Sequence, residues 1–327
     1  MQQSIAAVVV TYNRKSLLMN CLTALLDQSR KPDAIYIIDN ASTDGTGEML
    51  HDRGYIDHPG IRYKRMPENL GGAGGFSKGM EFAFQDGYDY LWIMDDDVEP
   101  RPDALEHMIP FLMRKDVSAL ANLKVDPDGS VQYFHLGTIT WHPLRDLVKP
   151  ISQCDFENKQ SVDVQFSSFV GLLVSRRAIE QIGMPRSDFF IHCDDFEYCM
   201  RLLEAGKILL IPDSVIIHNS PHAVPTVKRV LMLSAYPQNL RASCFRYYGD
   251  RNRTWTVKQY CGFGWLGAAV WAGAHVAKQT LKATLFERDH YWTRLHVILR
   301  AYWDGLTDHF DNRFPVNVLA GKQDGKT

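Results

Sequence analysis

The sequence predicts an α/β fold, a mostly parallel sheet flanked by helices, with a helical extension at its C-terminal end. Three observations carry the prediction. Strand-length apolar runs end in polar residues at Thr11-Tyr12-Asn13-Arg14 and Asp39-Asn40-Ala41-Ser42, and the amphipathic run Leu17, Leu18, Cys21, Leu22, Leu25 and Leu26 between them reads as a crossover helix. The stretch Tyr88 to Pro100, YDYLWIMDDDVEP, takes a strand apolar on both faces directly into Asp95, Asp96 and Asp97. Residues 261–277, CGFGWLGAAVWAGAHVA, hold no Lys, Arg, Asp or Glu and read as a helix.

Taken in order, Ile5 to Val10 is the first strand and Ala34 to Ile38 the second, with Ser42 or Thr43 expected to cap a short helix through Glu48. Asp39 reads either as an acceptor for a base or ribose or as a turn residue. Ile61 to Arg65 is a third strand. The run Asn69-Leu70-Gly71-Gly72-Ala73-Gly74-Gly75 reads as a loop before a helix carrying Met80 and Phe84, either bringing backbone N–H groups to a ligand or simply turning. Its spacing is neither GxGxxG nor a P-loop, and the terminal Gly325-Lys326-Thr327 has no helix to follow it.

Pro102 to Met113 is expected as a surface helix, Val117 to Val125 as a strand, and 131–158 as an aromatic excursion after the Asp126-Pro127-Asp128-Gly129 turn. Phe166 to Val174 reads as one strand with a close backbone approach at Gly171, followed by a helix from Arg176 to Ile182 closed by Gly183. In SDFFIHCDDFEYCMRLL, Asp194 and Asp195 open a helix whose dipole favours their ionisation, and Glu197 and Arg201 form an i,i+4 pair. Lys207–Ile211 and Val215–Ile217 are the last strands, ending at His218.

Three aspartates at the carboxyl edge of a sheet are either a solvated acidic turn or a cation site. The apolar approach favours the second, with His218 as a candidate ligand.

With 327 residues, 45% hydrophobic and 23% charged, the chain is long enough for a core domain over 1–220 and an appendage over 221–327. A net charge of −2 gives no general attraction to nucleic acid. The six cysteines form no CxxC pair and read as reduced core thiols of a cytosolic protein. The N-terminal MQQSIAAVVVTYNR fits a first strand rather than a signal peptide.

Four motifs in order, VVVTYNR (Val8 to Arg14), IIDNASTDGT (Ile37 to Thr46), the DxD at Asp95 and Asp97, and DDFE (Asp194 to Glu197), resemble the inverting GT-A glycosyltransferases of family 2 over roughly residues 4–220. The resemblance implies a GT-A, Rossmann-like sheet. It implies that Asp95, Asp97 and His218 hold Mn2+ or Mg2+ against the donor diphosphate, and that Asp195 is the general base, Asp194 standing where Glu is commoner. It places Thr11, Asn13, Arg14, Asp39, Asn69, Gly74 and Asp96 at the nucleotide. NLGGAGGFSKGM, FFIHCDDFEYCMR and YYGDRN (Tyr247 to Asn252) are most similar to the galactofuranosyltransferase and rhamnosyltransferase branch. That similarity implies a UDP-sugar donor and a saccharide or lipid-linked saccharide acceptor in cell-surface polysaccharide synthesis.

Other readings are a dTDP-rhamnose donor and a sugar-nucleotide-binding scaffold. A nucleotidyltransferase would need a lysine-containing glycine loop where TYNR stands. From Pro221 onward, Lys228, Arg229, Arg241, Arg246, Arg251 and Arg253 mix with aromatic residues, but no RNP or zinc pattern supports nucleic acid. The 261–277 helix, flanked by Lys258, Lys278 and Lys282, suits a membrane surface, a protein core or a contact between copies of the chain.

Overall fold

The structure, a computed structural model, describes residues 3–141, 147–219, 228–230, 233–262 and 264–323. The chain forms β1 (Ile5–Thr11), α1 (Lys15–Leu26), β2 (Ala34–Asp39), α2 (Thr46–Asp52), β3 (Ile61–Arg65), α3 (Gly71–Gln85), β4 (Tyr90–Asp95) and β5 (Val98–Pro100). A 3₁₀ segment over Glu106–Phe111 leads to β6 (Val117–Val125), β7 (Leu136–Ile139), β8 (Val148–Pro150), α4 (Gln153–Phe156), β9 (Val162–Val164), β10 (Phe166–Ser167) and β11 (Leu172–Ser175). Next come α5 (Arg176–Ile182), α6 (Asp194–Ala205), β12 (Lys207–His218), β13 (Lys228–Val230) and β14 (Leu233–Ala235). Helices α7 (Leu240–Tyr260), α8 (Gly264–Phe286), α9 (Tyr291–Leu306) and α10 (Phe314–Gln323) follow.

Nine strands make one mixed, mostly parallel sheet in the order β3-β2-β1-β4-β11-β6-β12-β5, with β9 also on β12. β1 to β4 are mutually parallel, whereas β11 is antiparallel to both β4 and β6, so β6 and β12 again run with β4. The carboxyl ends of β1, β2, β4, β6 and β12 therefore share one edge, where Thr11 lies beside Asp39 and Val10 beside Asp95 in register. Trp92, Ile93 and Met94 of β4 are fully buried, as a strand covered on both faces requires.

The chain divides into two compact units. The first comprises Met1–Thr140, Val148–Ser187 and Asp194–Ser220; the second Trp141–Leu147, Asp188–Cys193 and Pro221–Thr327. In the second unit, Asn252 Nδ2 donates to the carbonyls of Phe189, Ile191 and His192 at 2.9, 3.1 and 2.8 Å, so the short 188–193 segment is held there by the YYGDRN stretch. Arg251 is buried under Phe310, Tyr247 and Tyr248. Its charge is thus spent inside the helical unit.

Several expectations change. The glycine run is not a loop: Gly71 to Gly75 form the first turn of α3, and their missing side chains let the helix lie against the sheet. A Cβ on Gly75 would stand 2.6 Å from Val10 Cγ1, and one on Gly79 2.7 Å from Ile38 Cγ1. Gly45, at φ +86, precedes α2 in place of Ser42 or Thr43, and the Asp44 carboxylate accepts from Thr46 N at 3.2 Å. Pro110 lies within the 106–111 segment, which is 3₁₀ and not an α-helix. Phe166 to Val174 splits into β10 and β11 because Gly171 takes φ +73, where a side chain would also meet Ile216 and Asn122. The two last strands are one, β12, with an irregularity between Ile211 and Val215. Within the excursion, β7 and β8 join β10 in a separate three-stranded sheet. All six cysteines are free, but Cys154 is exposed and only Cys21, Cys199 and Cys244 are buried. Pro221, the Gly325–Thr327 tripeptide and the side chains of Lys228 and Arg229 lie outside the described residues.

Candidate active site

The site is built within the first unit at the carboxyl edge of the sheet. Thr11, the last residue of β1, donates through Oγ1 to Asp96 Oδ2 at 2.6 Å. Arg14 Nη1 donates to Asp97 Oδ2 at 2.8 Å and to Asp96 Oδ1 at 3.3 Å, so the first strand's loop supplies the cation that faces the aspartates. Burial raises the Asp96 carboxyl to about 6, against the bonds from Thr11 and Arg14 that pull it down. Asp95 is pushed well above the usual carboxylate range by desolvation and then by the charges of Asp97 and Asp96. Asp97 is held below that range: its desolvation is outweighed by His218 and Arg14.

His218 arrives from the end of β12. Its Nδ1 lies 2.8 Å from Gln132 Oε1. The Gln132 amide is oriented by its own nitrogen, which donates to Asp126 Oδ1 at 2.6 Å, so Oε1 accepts and His218 Nδ1 carries the proton. Nε2 then faces Asp97 Oδ1 at 3.4 Å. That buried oxygen has no hydrogen-bond partner, and neither does the buried Nε2 of His135, whose ring packs edge-on to His218 at 5.0 Å. A ring nitrogen and a buried carboxylate oxygen face to face call for a proton or a cation between them, and a proton there is what lets His218 hold Asp97 low. Carboxylates plus one imidazole are a donor set suited to Mn2+ or Mg2+. The residues fit such an ion in chemistry and in this orphaned oxygen, although among the described residues no three His, Cys, Asp or Glu side chains already converge on one point.

The other expected residues are placed as follows. Asp39 is fully buried and receives Tyr63 OH at 2.7 Å and Ser42 N at 2.8 Å, with Arg65 Nε at 3.9 Å. Tyr63 and Arg65 line an adjoining cleft of about 550 Å³ with Ser42, Thr43, Glu48 and His51. Asn13, at φ 54, braces the second loop: its Oδ1 accepts from Thr43 N at 2.7 Å and its N–H donates to Ser42 Oγ at 2.9 Å. Asn69 Oδ1 accepts from Gly71 N at 2.8 Å at the head of α3. Gly74 is buried, and a Cβ there would stand 2.6 Å from Leu70 Cβ, so the first turn of α3 leaves no room for a side chain at this position.

Asp194 and Asp195 open α6 as expected. Asp194 is the smallest of the named charges that raise Asp95, so the head of α6 lies within electrostatic reach of the aspartate edge. Asp194 is buried and pushed up to about 8, by desolvation first and by Asp195 second, which leaves it mostly protonated near neutrality. Asp195 keeps partial access to solvent, and desolvation lifts it only to about 6 because N–H bonds and the charge of Lys124 oppose the rise. The neighbouring Glu197 is committed to Arg201 at 2.7 Å. Gln132 and His135 escaped sequence reasoning; their only signal was a pair of polar residues in the aromatic excursion VQYFHLG.

The family described as "Glycosyl transferase family 2" matches residues 6–183, more than half of the chain and three of the four motifs. The chain belongs to glycosyl transferase family 2. This glycosyltransferase is 27% identical over 270 residues to "Galactofuranosyltransferase GlfT1" of Mycolicibacterium smegmatis, covering 78% of the chain and 83% of that protein. It is 24% identical over 220 residues to "dTDP-rhamnosyl transferase RfbF" of Shigella flexneri, covering 67% and 70%. Among solved structures, the fold is shared with a mannosyltransferase of Pyrobaculum calidifontis in complex with GDP-Man and Mn2+, at TM-score 0.53, 17% identity and 94% and 88% coverage. It is also shared with GalNAc-T7 in complex with UDP, GalNAc and Mn2+, at TM-score 0.57 and 14% identity, where 78% of the chain spans 48% of that protein. The expected GT-A-like sheet is therefore the one observed.

Proposed function

We propose that this family 2 transferase moves galactofuranose from UDP-galactofuranose to a saccharide or lipid-linked saccharide acceptor, with inversion, in cell-surface polysaccharide synthesis. The observation that carries the mechanism is the pair at the head of α6, where one acid is held protonated and its neighbour is free to ionise beside the aspartate edge. Asp195 takes the proton of the acceptor hydroxyl as that oxygen bonds to the anomeric carbon, while the bond from that carbon to the diphosphate breaks and its electron pair leaves with UDP. Thr11 and Arg14 hold Asp96 and Asp97 in place; Gln132 keeps the His218 tautomer with Nε2 toward Asp97. When bound, Mn2+ or Mg2+ supplies Lewis-acid neutralisation of the departing diphosphate, and Asp95, Asp97 and His218 would hold it. Both structural neighbours are complexes with Mn2+, which supports that assignment.

The similarity to GlfT1 extends over more of the chain than that to RfbF, which favours the galactofuranosyl reading; the rhamnosyl reading, with a dTDP-rhamnose donor, rests on RfbF. Calorimetric binding of UDP and dTDP, each with and without Mn2+, separates them. Metal-dependent preference for UDP is expected. Preference for dTDP transfers the proposal to rhamnose, and binding of neither removes both donors; nucleotide binding without transfer moves it to the sugar-nucleotide scaffold.

A further inference from the structure

Lys124 lies on β6 with no solvent exposure, outside every motif used so far. A buried ammonium is expensive unless an anion is near. Its Nζ donates to Ser167 Oγ at 2.6 Å, a neutral acceptor whose own proton goes to Ser168 O at 3.2 Å. Ser167 is in turn fastened to α6: Cys199 Sγ donates to its carbonyl at 3.2 Å, and its N–H donates to Cys199 Sγ at 3.5 Å. Lys124 is thus locked beneath the helix that begins with Asp194 and Asp195. The groups whose charge reaches Lys124 are Cys199, Asp195 and, from the excursion, His135. Burial keeps the Cys199 thiol neutral by pushing it up to about 12, and keeps the His135 ring neutral by lowering it to about 3. Asp195 is left as the anion. Its neighbour Asp194 supplies an internal comparison: with the charges of Asp195 and Glu197 raising it, it rises to about 8, whereas Asp195, with Lys124 lowering it, rises to about 6.

We propose that Lys124 is a positioning residue for the transfer reaction, a buried counter-cation under α6 that keeps Asp195 ionised between turnovers so that it can accept the acceptor's proton. The proposal rests on the reading of Asp195 as the base. Desolvation lowers Lys124 to about 7 and the charge of Asp195 opposes that fall, so each group favours the charged form of the other.

The test uses the full chain. The Asp195 carboxyl is followed by carbon NMR across pH, identified by its loss in Asp195→Asn, and the acidic limb of the kcat/KM profile is measured alongside. Lys124→Met, similar in length and apolar, should fold and should raise both midpoints by roughly one unit. Lys124→Arg should restore them. Asp195→Asn should lower the midpoint of the Lys124 Nζ signal, a reading that requires no change at Lys124. Unmoved midpoints in these variants overturn the proposal. If Asp195→Asn retains transfer while the reciprocal shifts appear, the base assignment fails and the charge pair stands; if transfer is lost and nothing shifts, the reverse holds.

Discussion

At the residue scale, the adjacent acids of α6 make opposite predictions. Asp195→Ala should leave UDP binding intact and lower turnover by roughly 10² to 10⁴, the usual worth of a general base. Near-normal turnover in a transfer assay would remove Asp195 from the mechanism. In the wild type the rate should fall as pH drops through about 6, where Asp195 takes up a proton from solvent. Asp194, raised to about 8 in the folded chain, binds its proton more tightly there than when unfolded. Its favourable contribution is complete below the unfolded value near 4 and is lost as pH rises toward 8. Asp194→Asn, which keeps a neutral side chain, should therefore raise the melting temperature at pH 7 by at least ~2 °C, the shift expected of about 1 kcal/mol in a chain this size. The gain should vanish at pH 4. A melting temperature that is equal or lower at pH 7 contradicts a buried, protonated Asp194.

At the scale of elements, helix α3 shows that its glycines serve different ends. A Cβ at Gly79 collides with Val8 and Ile38 of β1 and β2, so Gly79→Ala should cost about 1–3 kcal/mol by prising the helix from the sheet. Gly72 has nothing within 4 Å of the corresponding position, and Gly72→Ala should stabilise by about 0.5–1 kcal/mol through helix propensity alone. Denaturant melts of both variants check the contrast; equal effects would mean that α3 does not need the close approach. The same helix marks the limit of what could be read in advance. Strands β1, β2 and β4 were legible because each is an apolar run broken by a polar residue at its carboxyl end, and that edge is the site. The glycine run was not, since the close neighbours that its Gly75 accommodates are Val10 and Asn40, distant in sequence. Gln132 and His135 were hidden likewise: β6 carries the chain to His218 only through pairing with β12, which no local pattern announces. Lys124 sat in an apolar strand as an apparent blemish until Ser167 and α6 closed over it.

At the scale of the whole molecule, the helical unit wears its hydrophobicity outward. On α8 the buried side includes His275 and Gln279, whereas Leu266, Val270 and Leu281, spaced along one side of the helix, are 74%, 75% and 53% exposed. Trp265 on α8 and Trp292 and Trp303 on α9 are exposed as well, with Lys278 in the open beside the stripe. Among the described residues no helix is long and apolar enough to cross a membrane. Tryptophan with lysine along an apolar stripe is instead the composition of a surface that lies in a lipid headgroup layer, and it suits an enzyme whose proposed acceptor is lipid-linked. The full-length protein should float with vesicles containing anionic lipid, less so with neutral vesicles or at high salt, and Leu266→Asp combined with Val270→Asp should abolish flotation while leaving UDP binding unchanged. Sedimentation is run on the same samples, because a second copy of the chain would cover the same stripe. A concentration-dependent dimer that the double variant disperses, without flotation in the wild type, assigns the stripe to self-association, since burying these side chains against one another relieves the same exposed apolar surface that lipid would.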